Sequence, residues 1–181
     1  SDVLLELWEA EAPEKRWSQV IQAVTMAGCR QSVGLVLIGD GRDSARVRRA
    51  AAHNPHIHLL APTSDRATLA TLLASADALV HGCEAETFCM VAAEARASGL
   101  PVIVPDEGGA ADHAAPGLGL RYHAGQPASL AQAIDHLAVT DPMLWRRRAS
   151  DAAAQVGTMD RHFDRLFATY AGLVGRRRHA A

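Results

Sequence analysis

HGCEAETFCMVAAEARASGLPVIVPDEGGAADH, residues His81 to His113, is the stretch whose reading decides the fold. Ala78 to His81 is the end of a short apolar strand. Residues Phe88 to Ser98 then carry helical spacing, with Phe88, Val91, Ala92 and Ala95 on one face. Gly99 and Pro101 are ordinary stop signals for that helix. A second apolar strand, Pro101 to Val104, leads to the pair Gly108-Gly109. The helix N-terminus lies near Thr87 to Cys89, where free N–H donors and the positive dipole end suit an anion. Glu86 stands just before that end, and Glu94 about two turns in, roughly 10 Å along the axis. Two carboxylates able to accept from hydroxyls thus flank an anion site. Gly108 and Gly109 let a second backbone segment come close to the same place.

Outward from this stretch, short apolar runs alternate with helical patterns. Val3 to Trp8 reads as a strand, and Pro13 to Ala27 as a helix with Trp17, Val20, Ile21 and Val24 inward. Val33 to Ile38 is a strand, Ser44 to Ala52 a helix, and Ile57 to Leu60 a strand. Asp65 caps a helix running to Ala74. Beyond Gly109 come a short helix (Ala110 to Ala115), a small strand (Leu120 to Tyr122) and helices at Pro127 to Leu137, Pro142 to Gln155 and Asp160 to Val174. The alternation predicts an α/β fold: a Rossmann-like parallel sheet with helices on both faces, in one domain spanning 1–181. Gly39-Asp40-Gly41, His81-Gly82-Cys83 and Asp106 to Gly109 all follow strands directly. In an open parallel sheet such loops share the carboxyl edge, where ligands bind. Gly39, Gly41, His81, Gly108 and Gly109 are therefore expected in one crevice.

Composition narrows the classes. The chain has 181 residues, 49% hydrophobic and 21% charged, with a net charge of −2, so neither nucleic acid nor a membrane span is indicated. The three cysteines, Cys29, Cys83 and Cys89, form no CxxC pair, which points to free thiols in a reducing, cytoplasmic compartment and to no metal site. Among 18 basic residues Lys15 is the lone lysine. A lysine kept in so arginine-rich a chain either marks a place where a compact ammonium is needed or survives by chance on a helix.

The run E-T-F-C-x3-A-E-A-x-A-S-G-L-P-V-I-V-x3-G-G-x2-D closely resembles the E-x7-E region of retaining glycosyltransferases of the GT-B fold, family 4. The resemblance extends from about Ala12 to about Leu137 and implies the C-terminal, donor-binding half of a two-domain enzyme. It implies that Glu94 accepts from ribose hydroxyls and that Glu86 meets the donor sugar. Phe88, Cys89 and Met90 would give N–H groups to the diphosphate, and Lys15 would stabilise the departing nucleoside diphosphate. The implied donor is a GDP- or UDP-hexose, used without metal or other cofactor. The implied acceptor is a glycan or lipid-linked sugar, held by an N-terminal domain for which this chain has no room. The wording around HGCEAETF is similar to bacterial mannosyl- and glucosyltransferases of cell envelope synthesis.

Some residues depart from that pattern. Relatives carry an Arg five positions before Lys15; here it is Ala10, between Glu9 and Glu11, with Arg16 as a candidate substitute. Asp112 stands where relatives carry Glu. Cys89 replaces a Gly and is either a reactive thiol at a helix end or a small apolar filler. His81 bonds either ligand or a backbone carbonyl. The other histidines, His113 included, read as surface residues. Arg146 to Arg148 and Arg176 to Arg178 read as solvated faces, with contact to the inner face of an anionic membrane as the minority reading. A nucleotide-binding module without catalysis, favoured by Ala10, and a GT-B-fold sugar-nucleotide epimerase are the alternative functions. A dinucleotide site is disfavoured because no G-x-G-x-x-G follows the first strand.

Overall fold

The computed structural model describes residues 2–9, 16–28, 32–42, 44–153 and 163–171. Six strands form one sheet: β1 (Asp2–Glu9), β2 (Val33–Asp40), β3 (Ile57–Leu60), β4 (Ala78–Val80), β5 (Val102–Pro105) and β6 (Gly119–Tyr122). Their order across the sheet is β3-β2-β1-β4-β5-β6, and every pairing is parallel. The helices are α1 (Trp17–Gly28), α2 (Ser44–Ala51), α3 (Arg66–Ser75), α4 (Met90–Ala97), α5 (Pro127–Val139) and α6 (Pro142–Ala153). Residues 163–171 are also helical.

The period-2 alternation of the strands divides the core in two. Leu35, Leu37, Ala78, Val80 and Ile103 face one side, where they meet Val20 and Val24 of α1, Val47 of α2 and Leu130 and Ile134 of α5. Ile38, Leu79, Val102 and Val104 face the other, against Leu73 of α3 and Ala92 and Ala95 of α4. Helices on both faces of a parallel sheet are what the alternation predicts. Chain order reverses between β1 and β4, so the connections leave these two neighbours in opposite directions and open a crevice at their carboxyl ends.

Three elements differ from the sequence reading. Helix α4 begins at Met90, because Cys89 stands in the left-handed region, at φ 62°, and cannot continue a helix. Phe88 therefore lies outside it and is 57% exposed, while Ala92 and Ala95 are buried as expected. The helix expected at Ala110 to Ala115 is a single 3-10 turn, Ala111–His113. Helix α1 begins at Trp17, and Pro13 to Lys15 lie outside the described residues, as do 160–162 and 172–174 of the last expected helix. Asp65 does cap α3, accepting from Ala67 N (3.2 Å) and Thr68 N (3.1 Å).

Candidate functional site

A cleft of about 540 Å³ lies at the carboxyl edge of the sheet. Its walls come from the end of β2 (Ile38, Gly39), the loop after β3 (Pro62, Thr63), the loop after β4 (His81, Glu86, Thr87, Phe88) and the start of α4 (Cys89, Met90, Val91, Glu94). Seven expected site residues meet there: Gly39, His81, Glu86, Phe88, Cys89, Met90 and Glu94. Both carboxylates line the same space. Helix α4 opens toward it with no side chain capping its first turn, which leaves that turn's N–H groups to a ligand. Phe88 and Met90 stand exposed at the rim.

The electrostatics of the cleft are mixed. The Glu94 carboxylate lies 3.6 Å from the guanidinium of Arg66, a highly exposed side chain on α3. Such a surface pair contributes little and leaves Glu94 able to accept from ligand hydroxyls. Deeper in, His81 is buried, and its Nε2 lies 3.9 Å from Glu86 Oε1. The backbone of His81 is fixed from both sides. Its N–H donates to the Ile103 carbonyl (2.9 Å), and its carbonyl accepts from the Tyr122 hydroxyl (2.9 Å).

Gly108 and Gly109 serve a purpose that spacing did not reveal. A Cβ on Gly108, which has φ 70°, would fall on the Glu84 carbonyl, and one on Gly109 would fall on the Thr87 carbonyl. Gly109 N donates to the Glu86 carbonyl at 2.7 Å. The pair thus lies against the backbone of the 84–88 loop and sets its shape. Gly109 also lines a smaller hollow of about 280 Å³ with Thr87, Phe88, Arg96, Asp112 and His113. Gly41 acts locally, at the start of α2, where its N–H donates to Asp40 Oδ1 (2.8 Å) and Ser44 Oγ (2.9 Å). Lys15 lies outside the described residues.

Two readings need correction, and Arg16, the candidate substitute for the arginine that relatives carry, is paired with Glu84. Its guanidinium makes two bonds to the Glu84 carboxylate, Nε to Oε2 at 2.6 Å and Nη2 to Oε1. Arg16 holds a left-handed backbone (φ 47°), and this bidentate pair ties the start of α1 to the loop after β4. The hydrogen bond from Arg16 holds the Glu84 carboxyl below its ordinary pKa. His113 is not a surface residue. It is buried, its Nε2 lies 2.6 Å from the Phe88 carbonyl, and its ring meets Phe88 edge-on at 5.4 Å. Arg146 is no solvated face: it reaches the carbonyls of Ala74 (3.2 Å) and Ala76 (2.6 Å) at the end of α3.

Sequence reasoning also missed Pro62, Thr63 and Leu69, which line the cleft. The signal was present, because the loop after β3 must lie on the same edge as the other strand ends. Among the described residues no helix is long and apolar enough to cross a membrane.

Comparison with known proteins fits this geometry. The family model of glycosyl transferases group 1 matches residues 10–155. A GDP-mannose-dependent alpha-mannosyltransferase of Mycolicibacterium smegmatis is 34% identical over 173 residues, covering 92% of this chain and 42% of that protein. A protein of the same name from Mycobacterium tuberculosis is 35% identical over 172 residues, with the same coverage. The chain therefore spans less than half the length of these relatives. Among solved structures, Anabaena HepE in complex with UDP and glucose superposes with a TM-score of 0.71 at 24% identity, over 86% of this chain and 43% of that one. WaaG, a glycosyltransferase involved in lipopolysaccharide biosynthesis, gives 0.72 at 21% identity, over 88% and 44%. Both likenesses are of fold.

Proposed function

This chain belongs to the glycosyl transferases group 1 family, and from that premise we propose that it is the donor-binding domain of a retaining, metal-independent hexosyltransferase. The observation that carries the reading is the shared cleft: Glu86 and Glu94 line one space, with the uncapped end of α4 between them. The nucleoside diphosphate lies along that helix end, its ribose hydroxyls donating to Glu94 and its sugar turned toward Glu86. The N–H groups near Met90 take the phosphates. Lys15 and the helix end stabilise the diphosphate as it leaves, and the acceptor hydroxyl attacks from the vacated face. The mycobacterial relatives are named for GDP-mannose, which favours that donor over a UDP-hexose. The acceptor is a glycan or lipid-linked sugar, presented by a separate N-terminal domain at the cytoplasmic side of the membrane.

The test is calorimetric titration of the chain with GDP, UDP and ADP, with and without EDTA. Saturable binding of GDP or UDP that survives EDTA is expected. Binding that disappears with EDTA would refute the metal-free phosphate site. A second reading, a nucleotide-binding module without catalysis, is favoured by Ala10 and by the commitment of Arg16 to Glu84. It predicts the same binding of bare nucleotide but no preference for the sugar conjugate.

A further inference from the structure

The loop after β4 gathers three different metal-ligating side chains: His81 and Glu86, which line the cleft, and Cys83, buried next to them. His81 and Cys83 are each about 2% exposed, and the Glu86 side chain is about one quarter exposed. One ligand atom from each lies within 4.8 Å of the others. We propose that His81, Cys83 and Glu86 bind a borderline-soft divalent cation, Zn²⁺ first among them, which occupies the place of the donor sugar and blocks the site.

The donor set selects the ion. Imidazole, thiolate and a single carboxylate suit zinc, whereas magnesium and calcium demand oxygen ligands. Bond lengths of about 2.0–2.3 Å put tetrahedral ligands roughly 3.5 Å apart. The triad reaches that spacing by closing little more than about 1 Å, and Glu86 is the member with room to move because it faces the cleft. His81 is pre-set, since both its backbone polar groups are bonded (2.9 Å each). The Glu86 carbonyl is likewise held by Gly109 N at 2.7 Å. Three protein ligands leave a fourth position for water on the cleft side. Binding releases the Cys83 thiol proton to solvent, so affinity rises with pH. Metal binding stands on the triad alone; displacement of the sugar rests on the role given above to Glu86.

The test uses the chain reduced, stripped with EDTA and dialysed, then titrated with Co²⁺ as a coloured stand-in for Zn²⁺. Expected are saturation at one cobalt per chain, a thiolate-to-cobalt charge-transfer band, and loss of that band when Zn²⁺, but not Mg²⁺, is added. Cys83→Ser should abolish the band and Cys89→Ser should keep it. No saturable binding, or a band that persists in Cys83→Ser, overturns the proposal. If Cys83→Ser does not fold, Glu86→Gln decides instead: unchanged cobalt affinity overturns it. Zinc should weaken sugar-nucleotide binding and spare GDP. If the metal-free chain binds neither GDP nor UDP, and cobalt added to it gives the band, the donor-domain reading has failed and the metal site has not.

Discussion

At the scale of single residues, the proposed division of labour between the two carboxylates is open to measurement. Glu94→Ala removes acceptors for ribose hydroxyls and should weaken GDP and GDP-sugar alike, by about 1–3 kcal/mol. Glu86→Ala should weaken the sugar conjugate more than bare GDP. Equal losses for both ligands in the Glu86 variant would remove the sugar from its neighbourhood. Glu84 offers a different measurement. Its carboxyl is held below the ordinary value of 4.5, first by the hydrogen bond from Arg16. Its contribution to stability is therefore full above that value and is lost as pH falls through the lower, folded-state value. Glu84→Gln should be less stable than the parent near neutral pH, and the gap should shrink in acid. Denaturant titrations of both proteins across that range would show it, and a gap independent of pH would mean that the charge of Glu84 contributes nothing. The place of Glu94 in the cleft was legible because a helix turns a fixed interval into a fixed geometry, whereas Glu86, in the loop before Met90, was legible only as the residue preceding the helix mouth. The partnership of Arg16 with Glu84 was not, since it joins residues 68 positions apart. Neither was the burial of His113, because a 3-10 turn imposes no period from which an inward face can be read.

Among the elements, the loop after β4 and the loop after β5 behave as one piece. Gly108 and Gly109 touch the carbonyls of Glu84 and Thr87 so closely that no side chain fits between. Gly108→Ala and Gly109→Ala should each cost about 2 kcal/mol or more, because the backbone on both sides would have to shift. Gly28 at the end of α1 is the internal comparison. A Cβ there meets nothing within 4 Å. Gly28→Ala should gain up to about 1 kcal/mol from the restricted unfolded chain. Thermal unfolding of the three variants separates the cases, and equal melting temperatures would dismiss the close approach. The glycine pair by itself announces a turn. That the pair shapes a neighbouring loop depends on a contact between two loops, which residue spacing does not encode.

For the whole molecule, the alternation of apolar runs and helical patterns was enough to predict the parallel sheet. The strand order was not legible, because it depends on which neighbours pair. The proposed function also sets a limit on the isolated chain. It spans 42% of the mycobacterial relatives. Donor affinity should accordingly be modest, and transfer of labelled mannose from GDP-mannose by this chain alone should be undetectable, since nothing holds an acceptor hydroxyl near the anomeric carbon. Robust transfer would refute the half-enzyme reading.

The reversal of strand order between β1 and β4 carries a consequence for how the protein is made. Leu4 pairs beside Ala78, whereas β1 pairs with β2, and β2 with β3, across much shorter spans. Distant pairings are slow to form because chain entropy must be lost before any contact compensates for it. On a ribosome, β1 to β3 can assemble while β4 is still unmade, and the two sides of the cleft meet only afterwards. The ligand site is thus a late product of folding, and a chain stalled before Val80 would hold half a sheet and no place for a nucleotide.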